Sequence, residues 1–112
     1  IAPRGKTSFE GTFNALADST TSVIIGGNGD YTGHGIDMTG LDMLLTTYIL
    51  SQSKGFVGLM SAMLVLANGF DIPRVAIHDG IHWDMRHVVY TALNHYPINP
   101  SLPDLKAILD IA

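Results

Sequence analysis

His78 and Asp79 are the residues whose types and setting best suit chemistry in this chain. They follow the β-prone run Arg74-Val75-Ala76-Ile77 and precede Gly80-Ile81-His82-Trp83-Asp84-Met85. Asp-Gly between two such runs predicts a β-hairpin over residues 74–85, because a type I′ turn needs φ > 0 at both central positions. The Asp79 carboxylate then stands on a rigid tip directly after a buried strand, a setting that suits a hard-cation ligand. Two carboxylates on adjacent strands can hold a pair of Mg²⁺ ions about 4 Å apart for in-line phosphoryl displacement. Asp30 is the second candidate, just past Ser22-Val23-Ile24-Ile25, a buried strand ended by Gly26-Gly27-Asn28-Gly29. Asp30 and Asp79 are therefore the candidate metal ligands.

The flanking elements must position that pair. Phe9, Phe13 and Leu16 fall at i, i+4 and i+7 and predict a short helix ending near Asp18. Residues 30–35 form a loop. Thr39-Gly40-Leu41-Asp42 fits a capping box, and the helix after it carries Leu41, Leu44, Leu45, Tyr48 and Ile49 on one face. Residues 51–55 break it. Phe56 to Ala67 reads as a second helix, apolar nearly all round, closed by Asn68-Gly69 as a left-handed cap. Beyond the hairpin, Asp84 caps a helix through Val88, Val89, Ala92 and Leu93. Ser101-Leu102-Pro103-Asp104 opens a terminal one with Leu105, Ile108 and Leu109. The order α-β-α-α-β-β-α-α predicts a small α+β fold, an antiparallel sheet centred on the hairpin and packed by helices.

Composition narrows the function classes. The 112 residues suit one domain or a C-terminal piece of something larger. Apolar residues make up 46% and charged residues 14%, against ~25% charged in an average domain. That deficit points either to a surface buried against a partner chain or missing domains, or to a small, well-packed monomer. The net charge of −4 and the absence of a Lys/Arg cluster exclude an independent nucleic-acid binder, which needs a basic stripe. The longest apolar stretch, Phe56 to Ala67, is too short to span a bilayer. With no cysteine there is neither a disulfide nor a thiolate metal site, and a reducing, cytoplasmic compartment is the expectation.

Ala76-Ile77-His78-Asp79-Gly80-Ile81-His82-Trp83 resembles the His-Asp hairpin motif of single-subunit RNA polymerases, bacteriophage and mitochondrial in type, and of their DNA polymerase I-like relatives. Ser51-Gln52-Ser53-Lys54-Gly55 and Gly69-Phe70-Asp71-Ile72 look like the segment before that hairpin. Leu105-Lys106-Ala107-Ile108-Leu109 looks like the polymerase tail, and Asp30-Tyr31-Thr32 is similar to the other metal-binding palm motif. The resemblance implies that Asp30 and Asp79 hold two Mg²⁺ and that His78 orients the site. It also implies a C-terminal fragment or one subunit of a nucleotidyltransferase. Nucleotides and nucleic acid would then be met only through the larger assembled polymerase.

Two other readings use the same residues. Tyr31-Thr32-Gly33-His34-Gly35 fits the Tyr-x-Gly-x-Gly calcium loop of phospholipase A2, with His78-Asp79 resembling its His-Asp pair. That reading needs His78 in mid-helix near Gly33. A non-catalytic interaction module is the third, and it expects the largest apolar patch on a helix.

Overall fold

The computed structural model describes residues 1–3, 9–30, 32–59, 61–80 and 91–111. Within them the strands are β1 (Val23–Ile24), β2 (Ile36–Asp37), β3 (Phe56–Gly58), β4 (Arg74–Ala76) and β5 (Asn94–His95). The helices are α1 (Glu10–Ser19), α2 (Met43–Ser51), α3 (Ala62–Ala67) and α4 (Leu102–Leu109). β1 pairs with β2, and β3, β4 and β5 pair in that order, every pairing parallel. The fold mixes helices and strands as expected, but its sheets are parallel rather than antiparallel.

Ile1 and Ala2 knit the two sheets together. The Ile1 amino group donates to the Val23 carbonyl at 2.8 Å, and Ile25 N–H donates to the Ile1 carbonyl at 2.9 Å. On the other side Ala2 N–H donates to Val57 O at 2.9 Å, and Leu59 N–H donates to Ala2 O at 3.2 Å. The hydrogen-bonded order from edge to edge is thus β2, β1, Ile1–Ala2, β3, β4, β5. Gly58 permits this close approach: a Cβ there would stand 2.8 Å from the Ala2 carbonyl oxygen.

The hairpin expected over residues 74–85 does not form. Both edges of β4 are taken, by β3 on one side and β5 on the other, so no antiparallel arm can pair with Arg74–Ala76. His78 continues the parallel register in a bridge with Ile98. Gly80 takes φ 83°, yet Asp79 is not among the positive-φ residues, so a type I′ turn is excluded. The residues assigned to the second arm, and most of the helix to be capped by Asp84, lie in 81–90, outside the described residues. Parallel strands are covered on both faces and read as continuous apolar runs, which is why β4 imitates a hairpin arm in sequence.

The same cause explains β3. Phe56, Val57 and Gly58 are all buried, and the apolar run assigned to one helix divides into this strand and the short α3. α3 ends on Asn68 in right-handed conformation rather than in a left-handed cap. α1 matches its expected span closely, burying Phe13 and Leu16. α4 also matches, with the Ser101–Asp104 capping box formed in both directions. α2 is capped by Asp42, whose carboxylate accepts from Leu45 N–H at 2.8 Å. Thr39, the expected cap, instead donates its N–H and hydroxyl to Asp37.

Alternation along the strands splits the core in two. Ala2, Ile25, Phe56 and Ala76 face one way and pack with Leu50, Leu64 and Ala67 from α2 and α3. Val57, Val75 and Ile77 face the other way and meet Phe13 and Leu16 of α1 and Leu105 of α4. Helices therefore cover both faces of the sheet.

Candidate functional site

In an all-parallel sheet every strand ends on the same edge, and the loops that leave there share one rim. Here the strand order runs outward in two directions from a central seam: Ile1–Ala2 leads to β1 and β2, while β3 leads to β4 and β5. In open parallel sheets a crevice opens beyond the carboxyl ends of the strands where the order reverses. The crevice is present. A cavity of about 300 Å³ is lined by Ala2, Ile25, Gly26, Gly27, Asp30, Ser61, Ala62 and Met63.

Its wall on the β1 side is a tight glycine turn. Asp30 N–H donates to the Gly27 carbonyl at 3.1 Å, and Gly27 N–H donates to the Asp30 carboxylate at 2.8 Å. Gly26 sits at φ 144°, and a Cβ there would come within 2.4 Å of the Asp30 Oδ2. The turn therefore holds the half-buried carboxylate at the cavity because position 26 carries no side chain.

The wall on the β3 side is Ser61, only 7% exposed. It occupies the N-cap position of α3 but makes no side-chain cap bond. Its hydroxyl oxygen is buried and has no hydrogen-bond partner among the described residues. A buried hydroxyl left unpaired costs about 1–3 kcal/mol, which a small turn of the side chain toward a water or a polar ligand atom in the cavity would relieve.

His78 and Asp79 stand on the same rim, at the end of β4. Gly80 N–H donates a hydrogen bond to the His78 ring Nδ1 at 3.0 Å. The ring Nε2 lies 3.3 Å from the Tyr96 carbonyl, which can only accept. Through this ring, and through Asn99 N–H donating to the His78 carbonyl at 2.8 Å, the end of β4 is tied to residues 96–99.

The sequence-derived metal pair is not brought onto adjacent strands. Between β1, which leads to Asp30, and β4, which leads to Asp79, stand Ile1–Ala2 and β3. Asp30 lies in the loop beyond β1 and Asp79 in the loop beyond β4, not at the ends of neighbouring strands. Among the described residues no group of three or more His, Asp or Glu side chains gathers. The helical setting that the phospholipase reading needs for His78 is also absent, since His78 lies in extended pairing; Tyr31 of its glycine loop lies outside the described residues. Ser61, Gly26 and the strand role of Ile1–Ala2 escaped the sequence reading. The usable signal was Gly58 interrupting an apolar run, a mark of close backbone approach.

No protein-family model, curated protein sequence or solved structure matches this chain.

Proposed function

We propose that this chain binds a nucleotide in the crevice between Ile1–Ala2 and β3. The observation that carries the reading is the reversal of strand order at a cavity lined by Ser61 and Asp30. Open parallel sheets bind nucleotides at this place, with an acid after the second strand accepting from ribose hydroxyls. Asp30 follows β1, the strand that neighbours Ile1–Ala2, and its carboxylate is suited to that role. The Ser61 hydroxyl can donate to a phosphate oxygen. A volume of about 300 Å³ falls at the small end of ligand pockets and suits a nucleoside-sized group.

The reading keeps one element of the polymerase resemblance, a nucleotide as ligand, without requiring the hairpin. Mg²⁺ at Asp30 would arrive with the phosphates, since this ion keeps its waters and is shared between one or two carboxylates and the substrate. Covalent chemistry on the nucleotide is a further proposal, with His78 and Asp79 on the same rim as its candidates.

The test is a titration of the ¹⁵N-labelled chain with ribonucleoside and 2′-deoxyribonucleoside diphosphates, with and without MgCl₂. Amides of residues 25–30 and 61–63 are expected to shift, and ribose to be preferred over deoxyribose. Asp30→Asn should remove the ribose preference, and Ser61→Ala should weaken both sugars together by about tenfold, the scale of one hydrogen bond to a charged group. Shifts confined to other residues, or no binding of any diphosphate, would refute the assignment.

A further inference from the structure

The seam that ends in the crevice at the carboxyl ends of the strands opens, at their amino ends, into a second cavity. It holds about 600 Å³, with Thr21 and Val23 lining one side and Gly55 and Val57 the other. Along a strand the backbone groups of every second residue point to the same neighbour. Ile1 accordingly bonds to Val23 and Ile25, and Ala2 bonds to Val57 and Leu59. Ser22 and Ile24 turn instead to β2, and Phe56 and Gly58 turn to β4. The N–H groups of Val23 and Val57 therefore point into the seam, on the same side as their own carbonyls. Neither makes a hydrogen bond among the described residues. Val57 is only 2% exposed, and a buried backbone N–H without a partner is rare in a folded protein.

Hydrogen-bond geometry selects the occupant. A helix spends its N–H and C=O groups within itself, and a small apolar molecule has no acceptor, so neither answers donors on both walls. An extended backbone does. Carrying the Ile1 pattern back by two residues sets one carbonyl at Val23 N–H, and carrying the Ala2 pattern back sets another at Val57 N–H. Those are the two positions directly ahead of Ile1, in parallel register with β1 and β3. Leu16 and Leu109 line the cavity from one face of the sheet, and Leu50 and Phe56 from the other. Side chains that alternate between the faces would thus be apolar at both positions. We infer that this cavity is a strand-binding slot, taking an extended apolar peptide parallel to β1 and β3 whose carbonyls accept from Val23 and Val57.

The test has two arms, read by hydrogen exchange and chemical shift in the ¹⁵N-labelled chain. In the first, a peptide ending in four valine and isoleucine residues, with a lysine tail for solubility, is titrated in. In the second, the same four residues are joined ahead of Ile1. The Val23 and Val57 amides are expected to shift and to exchange at least about tenfold more slowly in one arm or both. Protection by the free peptide assigns the slot to a separate chain, and protection by the joined residues alone assigns it to a strand continuous with Ile1–Ala2. A copy of the effective peptide, free or joined, that is N-methylated at its last two residues keeps the apolar surface. It loses the donors that would reach the Gly55 and Thr21 carbonyls, and should protect the two amides at least about tenfold less. Equal protection by the methylated copy would reduce the slot to an apolar hole and overturn the proposal. Val23 and Val57 amides unmoved in both arms would overturn it as well.

Discussion

Asp30 is held by an arrangement that two residues define together. Gly26 supplies the backbone conformation and the empty space, and Gly27 supplies the N–H that fixes the carboxylate. Gly26→Ala should therefore cost about 1–3 kcal/mol, since a side chain at this φ is strained and its methyl meets Asp30 Oδ2. Chemical denaturation of Gly26→Ala, Asp30→Ala and the double variant separates the two causes. If the carboxylate clash matters, the double variant is more stable than the sum of the singles indicates. The acidic half of the site was legible because Asp30 directly follows an apolar strand run and a glycine cluster. His78 and Asp79 were legible in the same way, as polar residues at the end of a run. Ser61 was not: a serine amid apolar residues has no distinguishing pattern, and only the tertiary structure reveals that its hydroxyl lacks a partner.

At the scale of elements, what was legible depended on whether local chemistry or burial decides the structure. α4 belongs to the first kind. The Asp104 carboxyl is held below its ordinary 3.8, first by the Ser101 N–H and then by the Ser101 hydroxyl. A depressed carboxyl stabilises the fold fully above its unfolded value and loses that contribution as pH falls through the folded one. Amide exchange in α4 should therefore accelerate only below about pH 3.8, and Asp104→Asn should remove that pH dependence. Ser101→Ala should cost about 1 kcal/mol at neutral pH by thermal or chemical unfolding, an unmoved midpoint being the contrary result. β3 belongs to the second kind. Phe56-Val57-Gly58 is apolar throughout because it is covered on both faces, and a short apolar run does not distinguish strand from helix. Its burial is the larger quantity: Phe56→Ala should destabilise by about 3–5 kcal/mol in denaturant titration. A loss below about 1 kcal/mol would place the ring outside the core that joins Leu50, Leu64 and Ala76.

For the whole molecule, the mixture of helices and strands was legible and the topology was not. Direction is invisible in a two- or three-residue strand; it follows from which edges are free, and β4 has none. The same topology separates two kinds of surface. The rim at the carboxyl ends collects the polar candidates Asp30, Ser61, His78 and Asp79, while β2 and α2 collect exposed apolar ones.

The central place of Ile1–Ala2 has a consequence for how the chain reaches this state. Its two neighbours, around Val23–Ile25 and Val57–Leu59, come much later in sequence. Ala2 therefore lacks its second neighbour until the chain as far as Leu59 is available to pair. Pairings that close such long loops are slow relative to helix formation. α1 and α4 can gain helicity early, whereas the seam between the two halves, and with it the crevice, is completed last. Refolding followed by far-ultraviolet dichroism should thus run ahead of refolding followed by protection of the Ile25 and Leu59 amides.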